Sequence, residues 1–268
     1  YGVVTTNAAS PSGIVTLTLN LSPYNGSCSA SPLTGYAMKT NFTIDCQYWA
    51  DVDGYVARYE YFATYLYNNN PIGLSFDYNG LVTVQLPAGP AYNNYELSLF
   101  VAVFDALNGP SLFNLSQVVT VYIDMPLINT MISNILTNDV TSEIVGVLQS
   151  GSIVNASNNI ISLSSTLNVL ATTAAPAGLA NIVKAKTACM NAITAMNVTE
   201  LSETKVVASA ISTLTGNFDS IDRNIAVNAM QKSLALSQIM TRSVDFYGFS
   251  FLKQAGNKIV DSVANSLL

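Results

Sequence analysis

The chain has 268 residues, only 10% of them charged, with 10 basic against 16 acidic side chains and a net charge of −6. That length buries a sizeable core and suits two domains, while the scarcity of cations leaves no electrostatic footprint for a phosphate backbone and excludes nucleic acid as a partner. Histidine is absent, removing the commonest general base and zinc ligand together with the Ser-His and Cys-His pairs, and no glycine-rich phosphate loop occurs, so the chain reads as non-enzymatic.

The first residue is Tyr1 and the last is Leu268, without a leading Met or signal peptide, and the expectation is a part of a larger secreted or membrane-anchored polypeptide. Residues 1–13, with Asn7, Ser10, Pro11, Ser12 and Gly13, read as an extended arm. From 14 to 124 the hydrophobic period is two: Val15, Leu17, Leu19 and Leu21; Phe42, Ile44 and Cys46; Val82, Val84 and Leu86; and Tyr95, Leu97, Leu99, Val101 and Val103. Turns are expected at Asn68-Asn69-Asn70-Pro71, Tyr78-Asn79-Gly80 and Asn108-Gly109-Pro110. About seven half-buried antiparallel strands over about 110 residues suggest an immunoglobulin-like or fibronectin-type sandwich. The strand Ile14 to Leu21 needs a sheet edge, either its own or a neighbouring chain's.

Within this half, Cys28 and Cys46 stand 18 residues apart. By spacing alone they are either a bridge closing a loop worth roughly 3 kcal/mol or two buried thiols. Cys189 is left over, either buried or bridged to another segment. Six N-glycosylation sequons occur, at Asn20, Asn25, Asn41, Asn114, Asn155 and Asn197, a number that composition alone would yield. Strand parity is more informative. It sets Asn41 opposite Phe42 and Ile44, and Asn20 opposite Leu17, Leu19 and Leu21, so both should face solvent.

Asp51-Val52-Asp53-Gly54 is the one acidic cluster, and calcium is the cation such a loop would serve, with Asp77 and Asp105 as further ligands brought by the fold. A polar turn is the preferred reading there, so Asp51 and Asp53 are only weak metal candidates and no cofactor is expected. Tyr55, Tyr59, Tyr61, Tyr65 and Tyr67 form a stripe at strand spacing, either a sugar- or protein-binding face or, more simply, cross-strand packing. Leu86-Pro87-Ala88-Gly89 followed by Tyr95 looks like a tyrosine corner, with Tyr92 or Tyr95 supplying the hydroxyl.

After Asp124 the period changes to three and four: Ile128, Met131, Ile132, Ile135, Leu136, Val140, Ile144 and Val147 lie on one helical face. Further helices are expected over 158–170, 176–196, 202–214, 220–240 and 250–267, with Pro176 in a first turn and Gly216 as a stop. Ile144 to Val183 carries no charge, but Asn155, Ser157, Asn158, Asn159, Ser164, Ser165, Pro176 and Gly178 interrupt it, far short of the roughly 18 consecutive apolar residues of a membrane span. Strands first and helices after give an α+β, multidomain chain: the arm (1–13), an all-β sandwich (14–124) and an all-α helical bundle (125–268).

Gly26-Ser27-Cys28, Pro32, Gly35, Thr40-Asn41-Phe42-Thr43-Ile44, Cys46 and Trp49, followed by Tyr59-Glu60-Tyr61, Leu86-Pro87-Ala88-Gly89, Asn94-Tyr95 and Val103-Phe104-Asp105, resemble the receptor-for-egg-jelly (REJ) module of polycystin-type and sperm-surface proteins. The helical half is similar in order and composition to the region preceding the autoproteolytic domain of polycystins and adhesion receptors. That family's cleavage motif needs a His, so any cleavage site would lie beyond Leu268. The resemblance implies a Cys28–Cys46 disulfide with Trp49 packed over it, an oxidising compartment and N-linked glycans. It also implies a structural or adhesive role at a cell or ciliary surface, with other extracellular proteins or copies of the chain itself as partners. The alternative is a self-assembling subunit of an extracellular filament or coat built by strand addition.

Overall fold

The computed structural model describes residues 20–65, 68–137, 152–172 and 175–242, with Gly256 and Val260. Its eight strands are β1 (Ser27–Ser31), β2 (Thr34–Tyr36), β3 (Asn41–Gln47), β4 (Val56–Tyr65), β5 (Asn68–Asp77), β6 (Leu81–Gln85), β7 (Glu96–Asp105) and β8 (Pro110–Tyr122). Five α-helices follow among the described residues: α1 (Met125–Thr137), α2 (Ile153–Ala171), α3 (Pro176–Ala195), α4 (Leu201–Leu214) and α5 (Arg223–Arg242). The strands form two sheets, one ordered β1-β3-β6 and the other β2-β8-β7-β4-β5, with β2 parallel to β8 and the remaining pairs antiparallel.

Alternation builds the core between the sheets. In β3 Phe42, Ile44 and Cys46 are buried while Asn41 and Gln47 are exposed, and Tyr59, Tyr61, Leu97, Leu99, Val101 and Val103 meet them from the other sheet in one hydrophobic cluster. The opposite face of the five-stranded sheet is also covered. Phe62, Ala102 and Phe104 pack there against Leu201 of α4, which is why β4 and β7 show continuous buried runs where strict alternation predicts an exposed face. The main cluster continues into α2, α3 and α4, so strands and helices share one core.

Two expectations change. Asn68 to Pro71 lie inside β5 rather than in a turn; β5 is an edge strand of its sheet, where a proline costs no ladder hydrogen bond. The second helix begins at Ile153 rather than Asn158, capped by Ser152, whose hydroxyl accepts from the Asn155 amide at 3.3 Å. The Tyr78 to Gly80 turn is as expected, with Gly80 at φ 80° and Asp77 accepting from the amides of Asn79 and Leu81. Pro176 opens α3, and α4 ends at Leu214 just before Gly216. The strand expected over 14–21, apart from its last two residues, and the helix over 250–267, apart from Gly256 and Val260, lie outside the described residues, as does Tyr67. No described helix is long and apolar enough to cross a membrane.

Candidate functional site

The polar residues of α2 bind the helix to the sheets. Between Tyr61↔Ser75 and Phe62↔Gly73 the β4–β5 register slips by one residue, leaving Leu74 without a cross-strand partner. The Leu74 carbonyl accepts instead from the Asn158 side-chain amide at 2.9 Å. One turn on, Ser162 donates to the Leu86 carbonyl at 2.9 Å and accepts from the Met38 amide at 3.2 Å, and Ser165 is bonded to the Tyr65 hydroxyl at 3.0 Å. Helix α4 makes a parallel contact, with the Gly73 amide donating to Ser209 at 3.1 Å; a Cβ on Gly73 would press on that hydroxyl. Asn158, Ser162 and Ser165 recur at four- and three-residue steps, a helical face made of hydroxyls and amides. That spacing is the signal in the sequence, and it is faint because polar residues at helical steps equally fit a solvated face.

Beside this seam lies a groove of about 320 Å³ between the first turns of α2 and the end of β6. Asn41, Gln85, Asn155, Asn158 and Asn159 supply amides, Leu74 and Val84 supply apolar floor, and no charged side chain lines it. Such a lining, with the Thr83 hydroxyl beside the amides, exchanges hydrogen bonds with neutral hydroxyl or amide ligands.

Cys28 and Cys46 are direct partners in the β1–β3 ladder and are joined at 2.02 Å. Trp49 is half-buried, its ring lying against the backbone of Gly26 and edge-on to Phe113 at 5.8 Å, so it flanks the core rather than filling it.

Of the six sequon asparagines, Asn25, Asn41, Asn114, Asn155 and Asn197 are exposed. Asn20 is not free as parity predicted. Its amide donates to Asp105 at 2.7 Å and it is half-buried, because Asp105 sits at the turn after β7 and Gly109 closes on the same nitrogen.

The acids do not converge on a cation. Asp105 is occupied by Asn20 and by the amides of Leu107 and Gly109, and Asp77 by its own turn. Partial desolvation raises the Asp51 carboxyl above its ordinary range, while the Leu21 amide donating to Asp53 lowers that one. Among the described residues no group of three or more His, Cys, Asp or Glu could hold a metal. In the tyrosine stripe, Tyr59 and Tyr61 are core and Tyr65 is half-buried against α2, so packing accounts for these three, while Tyr55 is exposed. Tyr95 takes φ 62° and lays its ring against Tyr122 at 5.2 Å, while its carbonyl accepts from the Val121 amide.

Charges were missed where they are buried. Glu60 accepts from Arg58 at 3.0 Å and from Lys205 at 2.6 Å, and Arg58 lies 4.0 Å over the Phe104 ring, tying β4 to α4. Burial lowers Lys205 to about 8 against the pull of Glu60. In the bundle, Lys186 donates to Ser220 at 2.5 Å and burial lowers it to about 7; the neighbouring Cys189 is a buried free thiol, raised by burial to about 12 and therefore protonated at neutral pH.

No curated protein and no solved structure matches the chain. The REJ-domain family matches residues 3–162, extending beyond the strands through α1 to Ser162 of α2, the residue bonded to Leu86. REJ domains occur in the extracellular regions of polycystin-type proteins, and the disulfide accords with that setting. Spanning more than half of the chain and containing its bridged cysteines and the start of the helix that locks the two sheets, this match establishes that the chain belongs to the REJ-domain family.

Proposed function

We propose that this chain is a non-enzymatic structural or adhesive segment of a polycystin-like protein at a cell or ciliary surface, working as a stiff glycosylated unit without a cofactor. The observation that carries the reading is the seam of Asn158, Ser162 and Ser165 on the bridged sandwich. It fixes the helical half to the sheets by directional hydrogen bonds, as a load-transmitting spacer requires. The strand order supports an immunoglobulin- or fibronectin-type sandwich: β1-β3-β6 corresponds to A-B-E, and β8-β7-β4-β5 to G-F-C-C′, with β2 added parallel to G. Partners are other extracellular proteins. Labelling intact cells with a membrane-impermeant amine reagent tests the location: exposed Lys39 and Lys184 should be modified without permeabilisation, and modification only after permeabilisation refutes the reading.

A second reading has its own support. The three-stranded sheet ends on two edge strands, β1 and β6, where a strand from another copy could add and build a filament. Fibres in negatively stained native material would favour assembly, and dispersed particles the receptor segment.

A further inference from the structure

We propose that the groove between α2 and β6 seats the first N-acetylglucosamine of a glycan carried by Asn155. Three independent features converge on that occupant. Asn158 lines the groove and is 4% exposed; its amide nitrogen is committed to Leu74, and its buried carbonyl oxygen has no partner. A buried acceptor left in this way calls for a donor, and sugar hydroxyls and an acetamido N–H are donors. The lining is uncharged, which suits a neutral ligand, and half-buried Val154 with the edge of Val84 presents apolar surface for a sugar's C–H face and the acetamido methyl.

The tether is in place as well. Asn155 is exposed, begins the sequon Asn155-Ala156-Ser157, and stands three residues before Asn158 on the same helical face, with its main chain held by the Ser152 cap. A sugar attached there meets the groove at high effective concentration, so a few weak contacts suffice to hold it. The volume of about 320 Å³ is at the small end for ligand pockets and accepts a sugar ring rather than a peptide strand. Asn41 on the opposite rim is also a sequon residue, so the same chemistry has a second source.

This inference rests on the extracellular glycoprotein reading, and the two can fail separately. Site mapping comes first: Asn155 unoccupied while other sequons are occupied overturns the inference alone, and no occupied sequon overturns both. Protein from a glycosylating host is then trimmed enzymatically to one N-acetylglucosamine per site and compared with N155Q, N41Q and N114Q. The expected result is a melting temperature about 2–4 °C lower in N155Q, as loss of about 1 kcal/mol would give. Amide exchange should be faster in the first turn of α2, with N41Q and N114Q unchanged and the trimmed wild type equal to the untrimmed. Made in a bacterial periplasm without glycans, N155Q should match its parent. An unchanged N155Q in the glycosylated series, an effect of N41Q in its place, loss of protection on trimming, or an equal effect in the unglycosylated series would each overturn the proposal.

Discussion

Asn158 on α2 donates its side-chain amide to the carbonyl of Leu74 on β5 at 2.9 Å, across a bulge that leaves that carbonyl without a strand partner. One contact thus satisfies an irregular sheet edge and fixes a helix. Replacing Asn158 with Ala strands the buried carbonyl and should cost about 1–3 kcal/mol. Ser162→Ala should cost a similar amount, since that hydroxyl both donates to Leu86 and accepts from Met38. Urea unfolding followed by Trp49 fluorescence measures both, and neutrality of both variants would refute the seam as a source of rigidity.

Removing the bridge by Cys28→Ser with Cys46→Ser should cost about 2–5 kcal/mol, because the loop it closes is then free in the unfolded chain. Thermal unfolding of the double variant gives the loss, and peptide mapping without reduction should recover the two cysteines as one linked peptide pair.

Glu60→Ala takes the shared carboxylate from two buried cations and should destabilise by about 3–5 kcal/mol, well beyond the effect of a surface pair. Lys39→Ala, which breaks the exposed pair with Asp124, should cost less than about 1 kcal/mol. Equal losses in the two variants would contradict the difference in burial.

Lys186 makes a test by pH. Its folded value near 7 lies below the value near 10.5 of an unperturbed lysine, so between these the unfolded chain binds more protons than the folded one. Stability should therefore rise with pH from about 7, and Lys186→Met should flatten that rise. Measurements of melting temperature are best kept below about pH 8.5, where the unfolded Cys189 begins to ionise while the folded thiol does not. Lys205 contributes in part of the same window, so the slope should fall without vanishing.

Glycan mapping should find Asn41 occupied and Asn20 bare. Asn41 begins β3 on its solvent face, whereas the Asn20 nitrogen is held by Asp105 with Gly109 against it, leaving no room for a sugar. Occupancy at Asn20 would mean that this contact forms only in a minor population.

Local periodicity sufficed wherever one side of an element meets one environment. Phe42, Ile44 and Cys46 alternate and are buried, the Asn79-Gly80 turn is where its residue types place it, and the change of period at Met125 marks where helices begin. The same alternation misjudged Phe62, Ala102 and Phe104, because a helix from the far end of the chain covers the face that a two-layer sandwich would expose. It misjudged Pro71 because only strand order reveals an edge. In sequence the stretch from Asn158 to Ser165 shows only polar interruptions of a would-be span, and nothing local marks Glu60, Lys186 and Lys205 as buried. Side-chain polarity records what a residue can bond to, but whether that partner is water or a carbonyl distant in sequence is decided when the chain closes. The sequence alone therefore determined the family, the strand-then-helix order and the inward face of β3. Tertiary structure decided which polar groups became the joint between the sheets and α2, and brought Asn41 and Asn155 to opposite rims of one groove.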